Sequence, residues 1–209
     1  KGVLSVNPAI QFKVPPGQPK QAFALSFEEQ EKLITVQNLT RVEELARDTF
    51  LMQLYCAGLR ISDTIKLQKK HIIGDNIVYQ GGELNKQKRV KTVFVIEPLK
   101  KLIEKYHDPI RPTLLPWLTE VTESTNTDTT VTRINRALKL VGAKAGIKEF
   151  HRLSSHVARH THAVNLLELN INPEKIRNIL GHQSLTVTMR YLQGLKGDNN
   201  ESIQRELYE

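Results

Sequence analysis

Residues 156–192 read HVARHTHAVNLLELNINPEKIRNILGHQSLTVTMRYL, and this stretch carries both helical patterns and unusual polar residues. Its apolar residues recur with the period of amphipathic helices, and Asn170 and Gly181 stand where helices commonly end. His156 and Arg159 are three positions apart, which puts both side chains on one face of a helix. Tyr191 follows His182 by nine positions. Polar side chains at such spacings indicate a functional site beside the packed core.

The chain upstream of this stretch begins with helical patterns. The letters SFEE form a capping box that starts at Ser26 and predicts a helix to about Val36. A second helix is expected from Thr40 or Arg41 to Tyr55, because its apolar residues also recur at helical spacing. The letters ISDTIKL, which follow shortly afterwards, predict a third and shorter helix.

The middle of the chain changes period. Alternating β-branched residues around turn residues predict a small antiparallel sheet over residues 71–96. Pro98 can open a helix that ends near His107, and residues 108–131 are predicted to be irregular. From Thr132 onward the pattern is helical again. The predicted fold class is therefore mainly α with a small antiparallel β-sheet.

Composition narrows the class of partner. The chain has 209 residues, a formal net charge of +8 and a pI of about 9.6, and residues 86–91 read KQKRVK. Such an excess of Lys and Arg favours a polyanion, because each phosphate contact releases condensed counterions; a charge that only aids solubility is the alternative. The single cysteine, Cys56, lies in an apolar setting and predicts a buried, inert thiol in a reducing cytoplasmic location. No apolar run is long enough to span a membrane, and no secretory signal is visible.

Each candidate residue is weak evidence when it is taken alone. Arg60 follows a glycine by two positions in AGLRISD, and Lys86 lies in a basic hairpin loop. Single Arg or Lys residues are, however, usually exposed on the surface without a specific function. His156 and His160 have the spacing of helical metal ligands. Since HVARH lacks the glutamate of HExxH and no other ligand cluster is nearby, no metal is expected.

Taken together, these stretches resemble the tyrosine recombinases of the phage integrase family. That family's pattern is a His, two residues, an Arg, then His-Thr, an amphipathic helix, Leu-Gly-His, and a Tyr nine residues after that His, and this sequence matches every spacing. The letters AGLRISDTIKL resemble the family's earlier box with its first Arg, and LNKQKRVKTVFV resembles its lysine-bearing β-turn. The resemblance runs from about Ser26 to Gln193 and implies the catalytic-domain fold of these enzymes.

The resemblance also implies a set of catalytic roles. Two guanidiniums would clamp the non-bridging oxygens of a DNA phosphate, a lysine would protonate the leaving oxygen, and a phenol would attack phosphorus to form a 3′-phosphotyrosyl link without ATP or another cofactor. One histidine would accept the phenol proton and the other would donate to the phosphate. The residues expected in these roles are Arg60 and Arg159, Lys86, Tyr191, and His156 and His182, respectively. Lys88 is an alternative to Lys86 as the acid and otherwise a DNA contact.

Other residues are expected to support this site. The helix that begins TRINRALKL is predicted to turn Ile134, Leu138 and Val141 to the core, which leaves Arg133 and Arg136 for DNA. Asp63 is expected to orient Arg60 or nearby backbone. Within the opening stretch, His160 is interpreted as a core residue, His162 as structural or weakly DNA-facing, and three leucines as core residues: Leu166, Leu167 and Leu169.

The domain organisation predicted from this reading has three parts. Residues 1–25 read as an interdomain linker after an upstream core-binding domain, residues 26–193 as the catalytic domain, and residues 194–209 as a tail that docks on a neighbouring protomer or packs in cis. The partners implied are double-stranded DNA and, on DNA, a homotetramer formed from monomers that carry out recombination through a Holliday junction. The sequence leaves open a mobile-element origin, a topoisomerase-like nicking and closing activity of type IB, and a non-catalytic DNA-binding protein.

Overall fold

The structure is a computed structural model that describes residues 23–80, 90–116, 127–181, 184–186, 188–189 and 192. Its helices and strands, in chain order, are α1 (Phe27–Thr35), α2 (Arg41–Tyr55), α3 (Ile61–Thr64), β1 (Ile72–Ile73), β2 (Asn76–Gln80), β3 (Val90–Phe94), α4 (Glu97–Lys105), α5 (Thr127–Lys144), α6 (Ser155–Glu168) and α7 (Pro173–Leu180). The mainly α fold with a small antiparallel sheet is therefore confirmed.

The first two helices begin at the capping residues that their sequences predict. Ser26 Oγ accepts from the Glu29 N–H at 3.2 Å, and the Ser26 N–H donates to Glu29 Oε2 at 3.0 Å. Thr40 and Glu43 make the same reciprocal pair at the start of α2. Each box satisfies two N–H groups that a helix start would otherwise leave without a partner.

The sheet has the strand order β1-β2-β3, and both neighbouring pairs are antiparallel. Tyr79 lies opposite Lys91, and Ile77 lies opposite Val93. Since side chains alternate along a strand, these four residues share the inner face of the sheet. Val90, Thr92 and Phe94 lie on the outer face and are exposed.

The core is organised around α2, which packs against α4, α5 and α6. As predicted, Ile134, Leu138 and Val141 of α5 are turned inward and are at most 3% exposed. Cys56 is 1% exposed, and burial raises the pKa of its thiol to about 12. The thiolate is therefore absent at neutral pH, which agrees with the prediction that Cys56 is a buried, inert thiol.

Two predictions about the helical region are wrong. Helix α5 begins at Thr127, five residues before the predicted Thr132, and Thr130 is 1% exposed, so packing outweighs the weak helix propensity of threonine. Leu169 is not a core residue but is 66% exposed, because α6 ends at Glu168 and turns it outward. Leu166 and Leu167 are partly buried against a second apolar cluster: Ala163, Ile176, Leu180 and Leu192.

The last residue of the predicted linker is part of the packed structure. Leu25 is 1% exposed, and its N–H donates to Thr161 Oγ1 of α6 at 3.1 Å. The chain is therefore tied to α6 before α1 begins. In the described part of the chain, no helix is both long and apolar enough to cross a membrane.

Candidate active site

The turn that carries Arg60 follows α2 and has a fixed backbone. Ala57 and Gly58 both have positive φ, at 57° and 69°. The Gln53 side-chain amide donates to the Leu59 carbonyl at 2.9 Å, and the Leu59 N–H donates back to the Gln53 carbonyl at 3.0 Å. This pair of hydrogen bonds closes the loop and sets the direction in which the chain leaves it.

Arg60 occupies the N-cap position of α3, and its backbone carbonyl accepts hydrogen bonds from the first turn of that helix. That carbonyl accepts from the Asp63 N–H at 3.0 Å, the Thr64 N–H at 2.9 Å and the Thr64 hydroxyl at 3.0 Å. The side chain of Arg60 is exposed, and it makes no hydrogen bond or ion pair to any residue that the structure describes. Its guanidinium therefore stands on a rigid backbone and is open to an incoming anion.

Helix α6 approaches the same turn closely at Gly58. A Cβ atom on Gly58 would lie 3.2 Å from His162 Cβ and 3.4 Å from Arg159 Cα. The left-handed backbone already favours glycine at this position, and the contact with α6 adds a second reason. Glycine therefore lets α6 bring Arg159 next to the turn that ends at Arg60.

Arg159 connects two turns of the site. The residue is 3% exposed, and its guanidinium donates to the Gly58 carbonyl at 3.0 Å and to the Leu180 carbonyl at 2.5 Å. Gly58 lies two residues before Arg60, and Leu180 is followed in sequence by Gly181 and His182. One buried guanidinium thus fixes the first box of the predicted motif to the end of α7.

His156 lies one turn before Arg159 on α6 and is exposed. Its ring meets that of His160 edge to face, with centroids 4.5 Å apart. Desolvation on the protein side of the ring, followed by the charges of Arg159 and Arg60, lowers the pKa of His156. Burial and the neighbouring His156 lower the pKa of His160 to about 4. Both imidazoles are therefore neutral at pH 7, and His156 is able to accept a proton.

Lys91 of β3 is a further cation in this region, and sequence reasoning assigned it no role. Its ammonium donates to the Ile179 carbonyl at 3.1 Å. Burial lowers the pKa of Lys91 to about 8, and the charges of Arg159 and Arg60 act in the same direction, whereas Asp63 opposes them. The strand pattern puts Lys91 on the same face as Val93, but only the structure shows that this face points inward.

His162 lies deeper than the other histidines of α6. Burial lowers its pKa to about 4, and its Nε2 is buried without a hydrogen-bond partner within the described ranges. With Leu166 and Lys91 it lines a cavity of about 480 Å³ between β3 and the helices α6 and α7. A structural role for His162, the first of its two predicted readings, agrees with these surroundings.

The two predicted DNA contacts of α5 are on its outer surface. Arg133 and Arg136 are exposed, whereas Asn135 between them accepts from the Ser155 N–H at 2.8 Å and so caps α6. Of the predicted catalytic residues, the structure brings Arg60, His156 and Arg159 into one region. The remaining predicted site residues lie outside the described residues: Lys86, Lys88, His182 and Tyr191.

The arrangement can hold an anion between a fixed exposed guanidinium and a buried one, with a neutral imidazole beside them. Phosphate esters are anions of this kind, and the charge of the chain favours them. The geometry therefore agrees with the chemistry that the sequence motif implies at the positions that can be compared.

Comparison with known proteins shows which family this chain matches. The model of the phage integrase family matches residues 24–197. The tyrosine recombinase XerA of Thermococcus onnurineus is 30% identical over 182 residues, which are 86% of this chain and 60% of that protein. Several further relatives are the recombinases XerC and XerD, and the chain spans 48 to 64% of the length of the first curated relatives that it matches.

Solved structures agree with the family match. The crystal structure of XerA recombinase superposes with a TM-score of 0.59 at 25% identity, covering 96% of this chain and 69% of that chain. An integrase of the transposon Tn1549, in complex with transposon right end DNA, gives a TM-score of 0.60 at 18% identity, covering 98% of this chain and 72% of that chain. At that identity the second likeness shows the fold alone.

Proposed function

The chain belongs to the phage integrase family, and we propose that it catalyses site-specific recombination of double-stranded DNA through a 3′-phosphotyrosyl intermediate. The observation that carries the proposal is the position of Arg159, whose guanidinium joins the turn before Arg60 to the end of α7 before His182. Relatives that match most of this chain are named tyrosine recombinases, which supports the same activity.

The proposed reaction begins with attack by the Tyr191 oxygen on a DNA phosphorus atom. The new bond joins the Tyr191 oxygen to phosphorus, and the bond from phosphorus to the 5′ oxygen breaks. The phenol proton passes to His156, whose lowered pKa keeps its imidazole unprotonated and able to accept a proton at neutral pH. Lys86, or Lys88 in its place, gives a proton to the departing 5′ oxygen. The free 5′ hydroxyl of another strand then reverses these steps, so the energy of the phosphodiester is kept.

The two arginines have different parts in this proposal. Arg60, exposed and without a described partner, would bind the phosphate directly. Arg159 is buried, and its two backbone acceptors hold the guanidinium in one orientation before DNA arrives. A preorganised cation stabilises the negative charge that builds on the non-bridging oxygens without reorganising during the reaction.

The proposal extends to the parts of the protein that act around the site. Arg133 and Arg136 would contact the DNA backbone or bases, and Lys88 would contact DNA if Lys86 is the acid. Four protomers would assemble on two DNA sites. The tail of residues 194–209 would dock on a neighbouring protomer. An upstream core-binding domain, joined through residues 1–25, would complete the grip on the duplex. A cytoplasmic location and an origin in a mobile element belong to the same proposal.

The decisive experiment compares the wild-type chain with Tyr191→Phe. Both are incubated with a pool of nicked duplexes whose central sequence is randomised, so that cleavage next to the nick releases a short strand and traps the adduct. We expect wild-type protein to form a protein–DNA band in denaturing gels and Tyr191→Phe to form none while it still binds the duplex. Duplexes recovered from the band then provide a defined substrate.

The other candidate functions predict different results in the same experiment. Binding of the duplex without an adduct in either protein would indicate a non-catalytic DNA-binding protein and would contradict the proposal. An adduct accompanied by relaxation of supercoiled plasmid, without joining of two sites, would indicate a topoisomerase-like enzyme. Joined products from two duplexes that carry the recovered sequence are the outcome that recombination requires.

A further inference from the structure

Lys91 is an inward-facing cation on a short strand. It lies opposite Tyr79 on the same face as the buried residues Ile77 and Val93. Lysine is rarely buried unless it has a partner, because removing an ammonium from water is costly. Its position therefore calls for an explanation beyond packing of the sheet.

The ammonium of Lys91 reaches across to the end of α7. Its Nζ donates to the Ile179 carbonyl at 3.1 Å. A Cβ atom on Gly181 would lie 3.0 Å from Lys91 Cε and 3.1 Å from Lys91 Nζ. Gly181 has a φ of 68°, so glycine at this position serves both the left-handed end of α7 and the passage of the lysine.

A second cation binds the adjacent carbonyl of the same helix end. The guanidinium of Arg159 donates to Leu180, while Lys91 donates to Ile179. Carbonyls in the last turn of a helix have no partner within the helix and carry the negative end of its dipole, so cations are favoured there. The end of α7 is thus held from two sides, by α6 through Arg159 and by β3 through Lys91.

We propose that Lys91 is a positioning residue, whose ammonium ties the end of α7 to β3 and so sets where Gly181 and the following His182 begin relative to Arg60 and Arg159. This inference rests on the proposed recombinase function. The lysine itself touches backbone and transfers no proton in the reaction. It acts by holding the segment from which the predicted phosphate donor His182 departs.

The charge of Lys91 depends on the groups that surround it. Tyr79 lies opposite it on β2. The charge of Lys91 is influenced by Arg60 and Asp63, at and just after the start of α3, and by Arg159 and His162 of α6, and α7 contributes the Ile179 carbonyl. Burial is the largest influence and lowers the pKa of Lys91 to about 8, so the ammonium loses its proton within an experimentally accessible range. A neutral amine makes a weaker hydrogen bond to a carbonyl than an ammonium does. The tie is therefore expected to weaken above pH 8.

The test compares three variants of the 209-residue chain on the duplex recovered by adduct formation. Lys91→Met keeps most of the side-chain volume and removes the charge, whereas Lys91→Arg keeps a charge that does not titrate. Lys100→Met is the matched control, because Lys100 is exposed on α4. We expect Lys91→Met to slow adduct formation by about 10- to 100-fold, the usual cost of losing a residue that orients a site, while Lys100→Met is unchanged.

Three readouts separate positioning from other roles. The melting temperature of Lys91→Met at pH 7 should not fall, because the variant removes a desolvated charge. Lys91→Arg should retain activity, and its rate relative to wild type should rise between pH 7 and pH 9. A substrate with sulfur in place of the 5′ bridging oxygen, which leaves without protonation, should not rescue Lys91→Met.

Each contrary result overturns the inference in a recognisable way. Equal rates for Lys91→Met and wild type would show that the tie has no effect on the reaction. Rescue by the sulfur substrate would make Lys91 a proton donor and not a positioning residue. Failure of the wild-type chain to form any adduct would instead contradict the proposed function, which the Tyr191→Phe experiment tests separately.

Discussion

Two groups of charged side chains lie in this fold, and they are built in opposite ways. The acidic network, which joins α2 to α4, is centred on the Asp48 carboxylate, 1% exposed, which accepts from Arg47 at 2.8 Å, Lys105 at 2.6 Å and the Tyr106 hydroxyl at 2.7 Å. The cationic site comprises Arg60, Lys91, His156 and Arg159. There, Lys91 and Arg159 donate to backbone carbonyls, which carry no full charge.

The pKa values reflect this difference. In the acidic network burial opposes ionisation, but hydrogen bonds from Lys105, Tyr106 and Arg47 prevail and lower the pKa of Asp48. In the cationic site, burial and like charges lower the pKa of Lys91. Charges in the first region are paired with opposite charges, whereas in the second region Lys91 and Arg159 donate to neutral carbonyls and the charge of Asp63 only partly offsets the like charges at Lys91. Cations held close together in this way are common where proteins bind or act on ligands.

Removal of Asp48 should have the largest effect of the substitutions considered for the two regions. We expect Asp48→Ala to lower the free energy of unfolding by about 3 to 5 kcal/mol, because Arg47, Lys105 and the Tyr106 hydroxyl would lose their shared acceptor. Urea unfolding at pH 7 measures the change. Glu44→Ala is the matched control, since its carboxylate is 32% exposed and also pairs with Lys105, and should cost less than about 1 kcal/mol. Equal losses for the two variants would contradict the assigned role of Asp48.

Removing a charge from the cationic site should leave stability nearly unchanged and strongly reduce activity. Arg60→Ala removes an exposed guanidinium without described partners, so the free energy of unfolding should change by no more than about 0.5 kcal/mol. The rate of adduct formation should fall by about 100- to 1000-fold, which corresponds to about 3 to 4 kcal/mol of transition-state stabilisation. Arg41→Ala, an exposed arginine at the start of α2, serves as the control. A fully active Arg60→Ala would remove Arg60 from the site.

The two regions should each make stability rise with pH, but in different pH ranges, one acidic and one alkaline. A lowered pKa at Asp48 means that its stabilisation is present above the pKa of the unfolded chain and is lost as pH falls through the folded value. The folded pKa of Lys91, about 8, lies below that of an unfolded lysine, so the folded protein binds fewer protons and stability rises as pH increases above 8.

Unfolding midpoints measured across pH check this prediction. Between pH 8 and pH 10, wild type should gain only about 1 kcal/mol relative to Lys91→Met, because the lysine keeps partial contact with solvent, which screens its charge. Between pH 5 and pH 3, wild type should lose stability relative to Asp48→Asn, which has no carboxylate to titrate. A constant difference between wild type and Lys91→Met across pH 8 to 10 would mean that the ammonium of this half-buried lysine is not desolvated in the folded protein.

Local sequence signals were sufficient for most of the fold. The capping residues Ser26 and Thr40 start their helices because a side-chain oxygen and a returning glutamate satisfy the first N–H groups, and both features are visible within four letters. Gly181 ends α7 in a left-handed conformation for an equally local reason. The errors at Thr127 and Leu169 arose where distant packing decides, since burial of one face cannot be read from a short window.

The candidate site could be predicted where it depends on the spacing of side chains in the motif. It could not be predicted where it depends on hydrogen bonds from side chains to backbone carbonyls. The Arg60, His156 and Arg159 positions follow from motif spacing. The bonds of Arg159 and Lys91 to the end of α7 do not, because every residue has a carbonyl and the sequence does not mark which carbonyl a side chain will reach. Lys91 is singled out only by its inward position on β3, which the structure shows.

The smallest expected effects belong to the outer face of α5, whose exposed arginines are part of neither the acidic network nor the cationic site. Arg133→Ala and Arg136→Ala should leave unfolding unchanged within about 0.5 kcal/mol, since both side chains are exposed. If each arginine contacts one phosphate, each substitution should reduce the slope of log affinity against log salt concentration by about 1, which fluorescence anisotropy with a labelled duplex can measure. Lys139→Ala tests whether any exposed cation of α5 has the same effect. An unchanged slope for both arginine variants would mean that this face points away from DNA, and the duplex would have to be bound by the cationic site and its neighbouring loops alone.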